Sequence, residues 1–153
     1  MSIKINYLNK STGKTSSNLV LFVNEKFNTM NLKQFISSTE FTYIDDLLKS
    51  NDLKKNIFVF EVRSKKKIVL ISIKKDLKNF DIENLGAEFY GRINYGKSSE
   101  YFINSDSINS KHKNFIGYFL HGLKLKSYEF NKYKTKKETR VISISINTYY
   151  CRF

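Results

Sequence analysis

Residues 57–93 read IFVFEVRSKKKIVLISIKKDLKNFDIENLGAEFYGRI and hold two periodicities back to back. Ile57 to Val62 and Ile68 to Ile73 are rich in β-branched and aromatic residues, the composition of strands. Between them lies Arg63-Ser64-Lys65-Lys66-Lys67, polar and too short for a crossover helix, so the two strands should pair antiparallel across a tight turn. From Asp81 the period becomes helical. Ile82, Leu85, Phe89, Tyr90 and Ile93 fall on one stripe, Asp81 can cap the start, and Gly86 allows a neighbour to come close.

The flanks repeat both patterns. Strand candidates lie at Ile3 to Leu8, Leu19 to Val23, Tyr101 to Asn104 and Val141 to Ile146. Ser37 with Glu40 makes a capping box ahead of Phe41, Ile44, Leu47 and Leu48, which predicts a helix near 38 to 50. A third helix places Phe115, Ile116, Phe119, Leu120 and Leu123 on one face, with His112, Lys113, Lys124 and Lys126 at its ends or off the stripe. It should end near Ser127 or Tyr128. Interleaved strands and helices with a central hairpin predict a mixed β-sheet flanked by helices, an α/β or α+β layer fold. There is no internal repeat, and the 153 residues fit a single domain spanning 1–153, in which Lys132 to Arg140 is a polar, basic connection to the last strand.

Composition narrows the function classes. The longest clear apolar run is Ile68 to Ile73, far short of the roughly 20 residues that span a bilayer. The first residues, MSIKINYLNKS, alternate polar and apolar and do not resemble a secretory signal, so a soluble, cytoplasmic protein without a membrane partner is expected. Cys151 is the only cysteine, which excludes an internal disulfide. The formal charge of +13 would suggest an anionic partner such as nucleic acid. Yet 23 of the 27 basic residues are Lys, alongside 16 Asn, 16 Ile, one Ala and no Pro, a pattern that follows AT-rich codons. A surface selected for phosphate would favour Arg and its bidentate grip.

Local motifs yield no catalytic, cofactor-binding or metal-binding residue. Gly13-Lys14-Thr15 looks like the end of a phosphate-binding loop, but the first glycine of that motif would fall at Leu8, and a strand rather than a helix follows. A surface turn is the better account. Gly86, Gly91 and Gly96 lack the spacing and the strand-to-helix context of a dinucleotide fingerprint, and Gly86 and Gly91 read as packing glycines. Two histidines, His112 and His121, and one cysteine cannot build a structural zinc site. Asp45, Asp46, Asp81 and Glu83 belong at helix starts or on solvated faces. No paired acid and base stands out, and no serine lies in a nucleophile-elbow motif.

The stretch Gly122-Leu123-Lys124-Leu125-Lys126-Ser127-Tyr128-Glu129-Phe130-Asn131-Lys132-Tyr133-Lys134-Thr135-Lys136-Lys137 resembles the G-x-x-L-x-S-Y-x-F-x-x-Y-K-[ST]-K-K segment that closes the amino-terminal domain of leucine (cytosol) aminopeptidases. Gly122, Leu125, Ser127, Tyr128, Phe130, Tyr133 and Lys134 carry the match, and the order of hairpin, helix and strand upstream is similar. The resemblance implies a macro-like α/β fold that packs on a catalytic domain and helps assemble a homo-oligomer. That family's two divalent metal ions, zinc or manganese, sit in the catalytic domain through Asp, Glu and Lys side chains, including an N-T-D-A-E-G-R run. No such run occurs before Phe153, so no peptidase activity and no cofactor are expected of this chain alone. Tyr128, Phe130 and Tyr133 are then expected to fold back on the preceding helix as an aromatic clamp. Two other readings stand beside this one. One is a free-standing basic module with possible weak nucleic-acid binding through Lys65 to Lys67, Lys74, Lys75 and the lysines between Lys134 and Lys137; the other is an ADP-ribose-type ligand domain, although the glycine-rich phosphate loops of true macro domains are not evident.

Overall fold

Every strand expected from the sequence forms, and hydrogen bonding joins them in one sheet. In the computed structural model these are β1 (Ser2–Leu8), β2 (Asn18–Asn24), β3 (Ile57–Arg63), β4 (Lys66–Ile73), β5 (Ser99–Ile103) and β6 (Val141–Asn147). Their order across the sheet is β1-β6-β5-β2-β4-β3. The structure describes residues 2–8, 18–28, 30–52, 54–63, 66–93, 99–104, 107–108, 114–132 and 141–147. The expectations placed on Gly13-Lys14-Thr15, Lys65, Gly96, His112, Lys113, Tyr133 to Lys137 and Cys151 lie outside the described residues.

The 57–73 hairpin pairs antiparallel as its short turn requires, Ile57 opposite Ile71 and Phe60 opposite Ile68, with a register shift between Glu61 and Arg63. All the other neighbours are parallel. The sheet is therefore mixed, with β3 as its single antiparallel member.

Among the described residues three α-helices cover the sheet: α1 (Ser38–Ser50), α2 (Asn79–Ile93) and α3 (Phe115–Lys132), with a 3-10 helix at Met30–Gln34. Two apolar clusters divide the helices between the two faces. Val20 and Phe22 of β2, Val69 and Ile71 of β4, and Ile142, Ile144 and Ile146 of β6 pack with α2 and α3. Leu21 and Val23 of β2 and Ile68 and Leu70 of β4 pack with Leu32, Ile36, Ile44 and Leu48. β2 and β4 are thus buried on both faces, as parallel strands between helix layers are. β6 buries only its isoleucines, and its alternate positions Ser143 and Ser145 are half-buried.

Caps form where the sequence placed them, with two differences. Ser37 Oγ accepts the Glu40 N–H at 3.3 Å, but the Glu40 carboxylate does not complete the box. It is buried and pairs with Lys66 Nζ at 3.3 Å, tying the first turn of α1 to the start of β4. Asp81 caps α2 from its third position, Oδ2 accepting the Lys78 N–H at 3.0 Å, so the helix begins two residues earlier than expected. α3 departs more. It continues past Tyr128 to Lys132, so Tyr128 and Phe130 lie within the helix rather than after it.

α2 and α3 touch backbone to backbone through two glycines. A Cβ on Gly86 would collide with the Phe119 carbonyl oxygen, and one on Gly122 with the Glu83 carbonyl oxygen. Gly91, expected to pack in the same way, has nothing within 4 Å of the place a Cβ would occupy, and neither has Gly117. Gly86→Ala and Gly122→Ala are each expected to lower unfolding stability by about 1–3 kcal/mol or more, as overpacking does. Gly91→Ala and Gly117→Ala should raise it by about 0.5–1 kcal/mol through helix propensity. Urea unfolding midpoints of the four variants measure both effects.

Candidate functional site

β2 is hydrogen-bonded unequally on its two edges. Against β4 the pairing runs to Asn24 opposite Ile73, but against β5 it covers only Asn18 to Val20. One more rung follows, the Asn104 N–H donating to the Val20 carbonyl at 3.1 Å, and the strands then part. The next N–H on that edge, from Phe22, donates to Ser107 Oγ at 3.0 Å, and the Ser107 hydroxyl donates to the Asn104 carbonyl at 2.7 Å. A serine side chain thereby satisfies a backbone donor that the strand no longer reaches.

The parting leaves a cavity of about 220 Å³ at the carboxyl ends of β2 and β4. Phe22 and Asn24 reach it from β2, Asn28 and Phe35 from the segment after β2, and Ser107 and Ile108 from the segment after β5. From this end the chain leaves β2 toward α1 on one face and leaves β5 toward α3 on the other. A crevice where neighbouring parallel strands send their connections opposite ways is where open α/β sheets take ligands.

The turn after β2 is built on Asn24. Its Oδ1 accepts the N–H groups of Lys26 at 3.2 Å and Asn28 at 2.9 Å, and its carbonyl accepts the Phe27 N–H at 3.0 Å. Asn28 Oδ1 in turn accepts the Met30 N–H at 3.1 Å. Both side-chain oxygens are taken up by the backbone, which leaves Nδ2 as the donor end of each of these two cavity-lining amides. Phe27 holds the turn from beneath with a φ of 54°. Left-handed backbone costs a residue with a side chain about 1–2 kcal/mol. Its ring is buried and meets Phe58 edge-on at 5.1 Å, and burying a Phe side chain returns about 1.5–3 kcal/mol, so the anchor outweighs the strain.

A second cavity of about 310 Å³ lies between the end of β4 and α2. Among the described residues Asp76, Asp81 and Glu88 line it against Lys74 alone, a surplus of negative charge that suits no anion. Among the described residues, none that lines the 220 Å³ cavity is charged.

The residues weighed from the sequence fall elsewhere. His121 lies mid-helix on α3, exposed, with Nδ1 2.9 Å from Glu83 Oε1 on α2. Asp45 pairs with Lys49 at 3.0 Å along α1. Of the lysines considered for nucleic acid, Lys66 pairs with buried Glu40 and Lys67 lies 3.9 Å from Glu61, while Lys74 and Lys75 are exposed. Among the described residues no group of His, Cys, Asp and Glu could hold a metal ion. None of the crevice residues stood out by motif. The only signal was an apolar strand, Leu19 to Val23, ending in Asn24 with a second amide at Asn28.

Among solved structures, the macrodomain of Thermus aquaticus DarG superposes with a TM-score of 0.56 at 11% identity, covering 94% of this chain and 99% of that one. The chain has the macrodomain fold. No protein-family model and no curated protein matches it by sequence. The macro-like architecture expected above is correct, but the leucine aminopeptidase family and a role as that enzyme's packing and assembly domain are overturned, because the match that carries the fold is to a macrodomain. In the stretch that suggested the aminopeptidase, Tyr128 does not fold back as expected: it is 71% exposed on a helix that continues beyond it. In this macrodomain fold the crevice depends on Ser107. Ser107→Ala leaves the Phe22 N–H without its acceptor and should cost about 1–3 kcal/mol in chemical denaturation.

Proposed function

We propose that the chain binds ADP-ribose, or a nucleotide diphosphate sugar close to it, in the crevice at the carboxyl ends of β2 and β4, where β5 parts from β2. The observation that carries the reading is an amide-bordered cavity, with no charged side chain among its described lining residues, at the point where the two central parallel strands of a macrodomain fold diverge. Such a ligand needs a flat apolar wall for its base or ribose and donors for its hydroxyl and phosphate oxygens. Phe35 and Ile108, both half-buried, supply the wall. The Nδ2 groups of Asn24 and Asn28 supply the donors. At about 220 Å³ the cavity is smaller than the ~300–1,000 Å³ that engulfs a drug-sized ligand, so it seats one end and leaves the remainder along the rim.

Electrostatics supports the same choice. A net charge of +13 draws an anionic ligand to the protein, while the acidic cavity beside α2 repels its diphosphate. No helix among the described residues is long and apolar enough to cross a membrane. We place the protein in the cytoplasm, where nucleotides of this kind are found.

Thermal unfolding with and without ligand tests the reading. ADP-ribose should raise the melting temperature, by an amount that corresponds to about 2.7 kcal/mol at a hundred times its Kd. Asn28→Asp keeps the oxygen that accepts the Met30 N–H but puts a negative charge at the crevice, so ADP-ribose should bind at least tenfold more weakly while the free protein melts within about 2 °C of the wild type. No stabilisation by millimolar ADP-ribose at low salt would sink the proposal. The same result together with oligonucleotide binding that falls steeply with salt would favour a basic nucleic-acid surface instead.

A further inference from the structure

We propose that Phe27 is a positioning residue for this site. Its buried ring, without touching ligand, holds the turn from Asn24 to Asn28 in the conformation that presents both amides to the crevice. The inference rests on the crevice being the ligand site and goes beyond it by assigning the anchor.

Among the described residues Phe27 is the only one other than glycine with a positive φ. A turn that needed only this backbone shape would be made more easily with Gly or Asn. Phe27 does not line the cavity. Its ring instead enters the cluster that joins the sheet to the 3-10 helix and α1, where it meets Phe58, which stacks on Phe60 at 6.1 Å. The N–H groups of Lys26, Phe27 and Asn28 all donate to Asn24, so the turn closes on the residue that also faces the crevice. Freeing the ring releases these three bonds together, and the amides lose their fixed spacing. Strain held by packing beside a binding site is a known form of preorganisation.

Two variants separate the ring from the backbone. Phe27→Gly accepts the positive φ without strain but has no anchor, and Phe27→Leu keeps an apolar anchor and the strain. Isothermal titration with ADP-ribose, at a temperature where circular dichroism shows both variants folded, should give at least a tenfold weaker Kd for Phe27→Gly and a Kd within threefold of wild type for Phe27→Leu. Equal Kd values for Phe27→Gly and wild type would overturn the proposal, even if the variant melts lower, since that is the result of a purely structural core residue. Amide exchange gives a readout independent of ligand. The Lys26 and Asn28 N–H groups should exchange at least tenfold faster in Phe27→Gly while those of α2 stay unchanged, and unchanged rates in the turn would also overturn it. Wild-type protein that ignores ADP-ribose while the turn still loosens in Phe27→Gly would refute the ligand and support the anchor.

Discussion

A β-strand must satisfy both of its edges, and β2 does so with a strand on one side and only half a strand on the other. That inequality shapes the crevice. Had β5 continued alongside β2 past Val20, the Phe22 N–H would have found a backbone carbonyl and the space now walled by Phe22, Ser107 and Ile108 would be filled with sheet. Ser107 makes the shortfall tolerable by spending one hydroxyl on two backbone groups, the Phe22 N–H and the Asn104 carbonyl. The strands can then separate without leaving a part-buried donor unpaired.

The helices enforce the same geometry from outside. Gly86 and Gly122 let α2 and α3 approach until backbone meets backbone, which fixes how both helices lie on the face formed by Val20, Phe22, Ile144 and their neighbours. Phe22 meets Phe115 and Phe119 of α3 edge-on at 5.4 and 5.5 Å. The residue that lines the crevice from β2 is therefore also a keystone of the helix layer. Rigidity at the site comes from the core beneath it, while the segments above supply polar groups.

Much of this was legible in the sequence because burial writes itself into periodicity. VLFV at 20–23 and IVLI at 68–71 are continuous apolar runs, and those strands are covered on both faces. ISISI at 142–146 alternates, and that strand buries one face to the helices. Pairing partners were legible only for the hairpin, whose short turn leaves no alternative; the order of the parallel strands depends on contacts between distant segments that no local pattern encodes. The aminopeptidase resemblance misled for a related reason. Element order reports architecture, and one architecture hosts unrelated functions. Its most specific stretch, 122–137, mixes Lys and aromatic residues in a chain where both are abundant, and the helix runs straight through its first half. The crevice was illegible because Asn24, Asn28 and Ser107 are ordinary polar residues whose meaning comes from where β5 stops.

How such a site could hold a diphosphate follows from the glycine count. Loops that wrap phosphate in backbone N–H groups need glycine for close approach and positive φ. Here no glycine occurs between Gly96 and Gly117, which takes in the whole connection from β5 to α3, and the turn after β2 has a phenylalanine at its position of positive φ. In that turn the N–H groups of Lys26, Phe27 and Asn28 are spent on Asn24 and cannot cradle an anion. Donation in the proposed site passes to side chains, the amides of Asn24 and Asn28 with the exposed Lys26 between them. Side-chain amides are neutral and Lys26 is solvated, so affinity there depends on the amides being held at a fixed separation more than on charge. A ring buried under the turn meets that requirement where a flexible glycine would not.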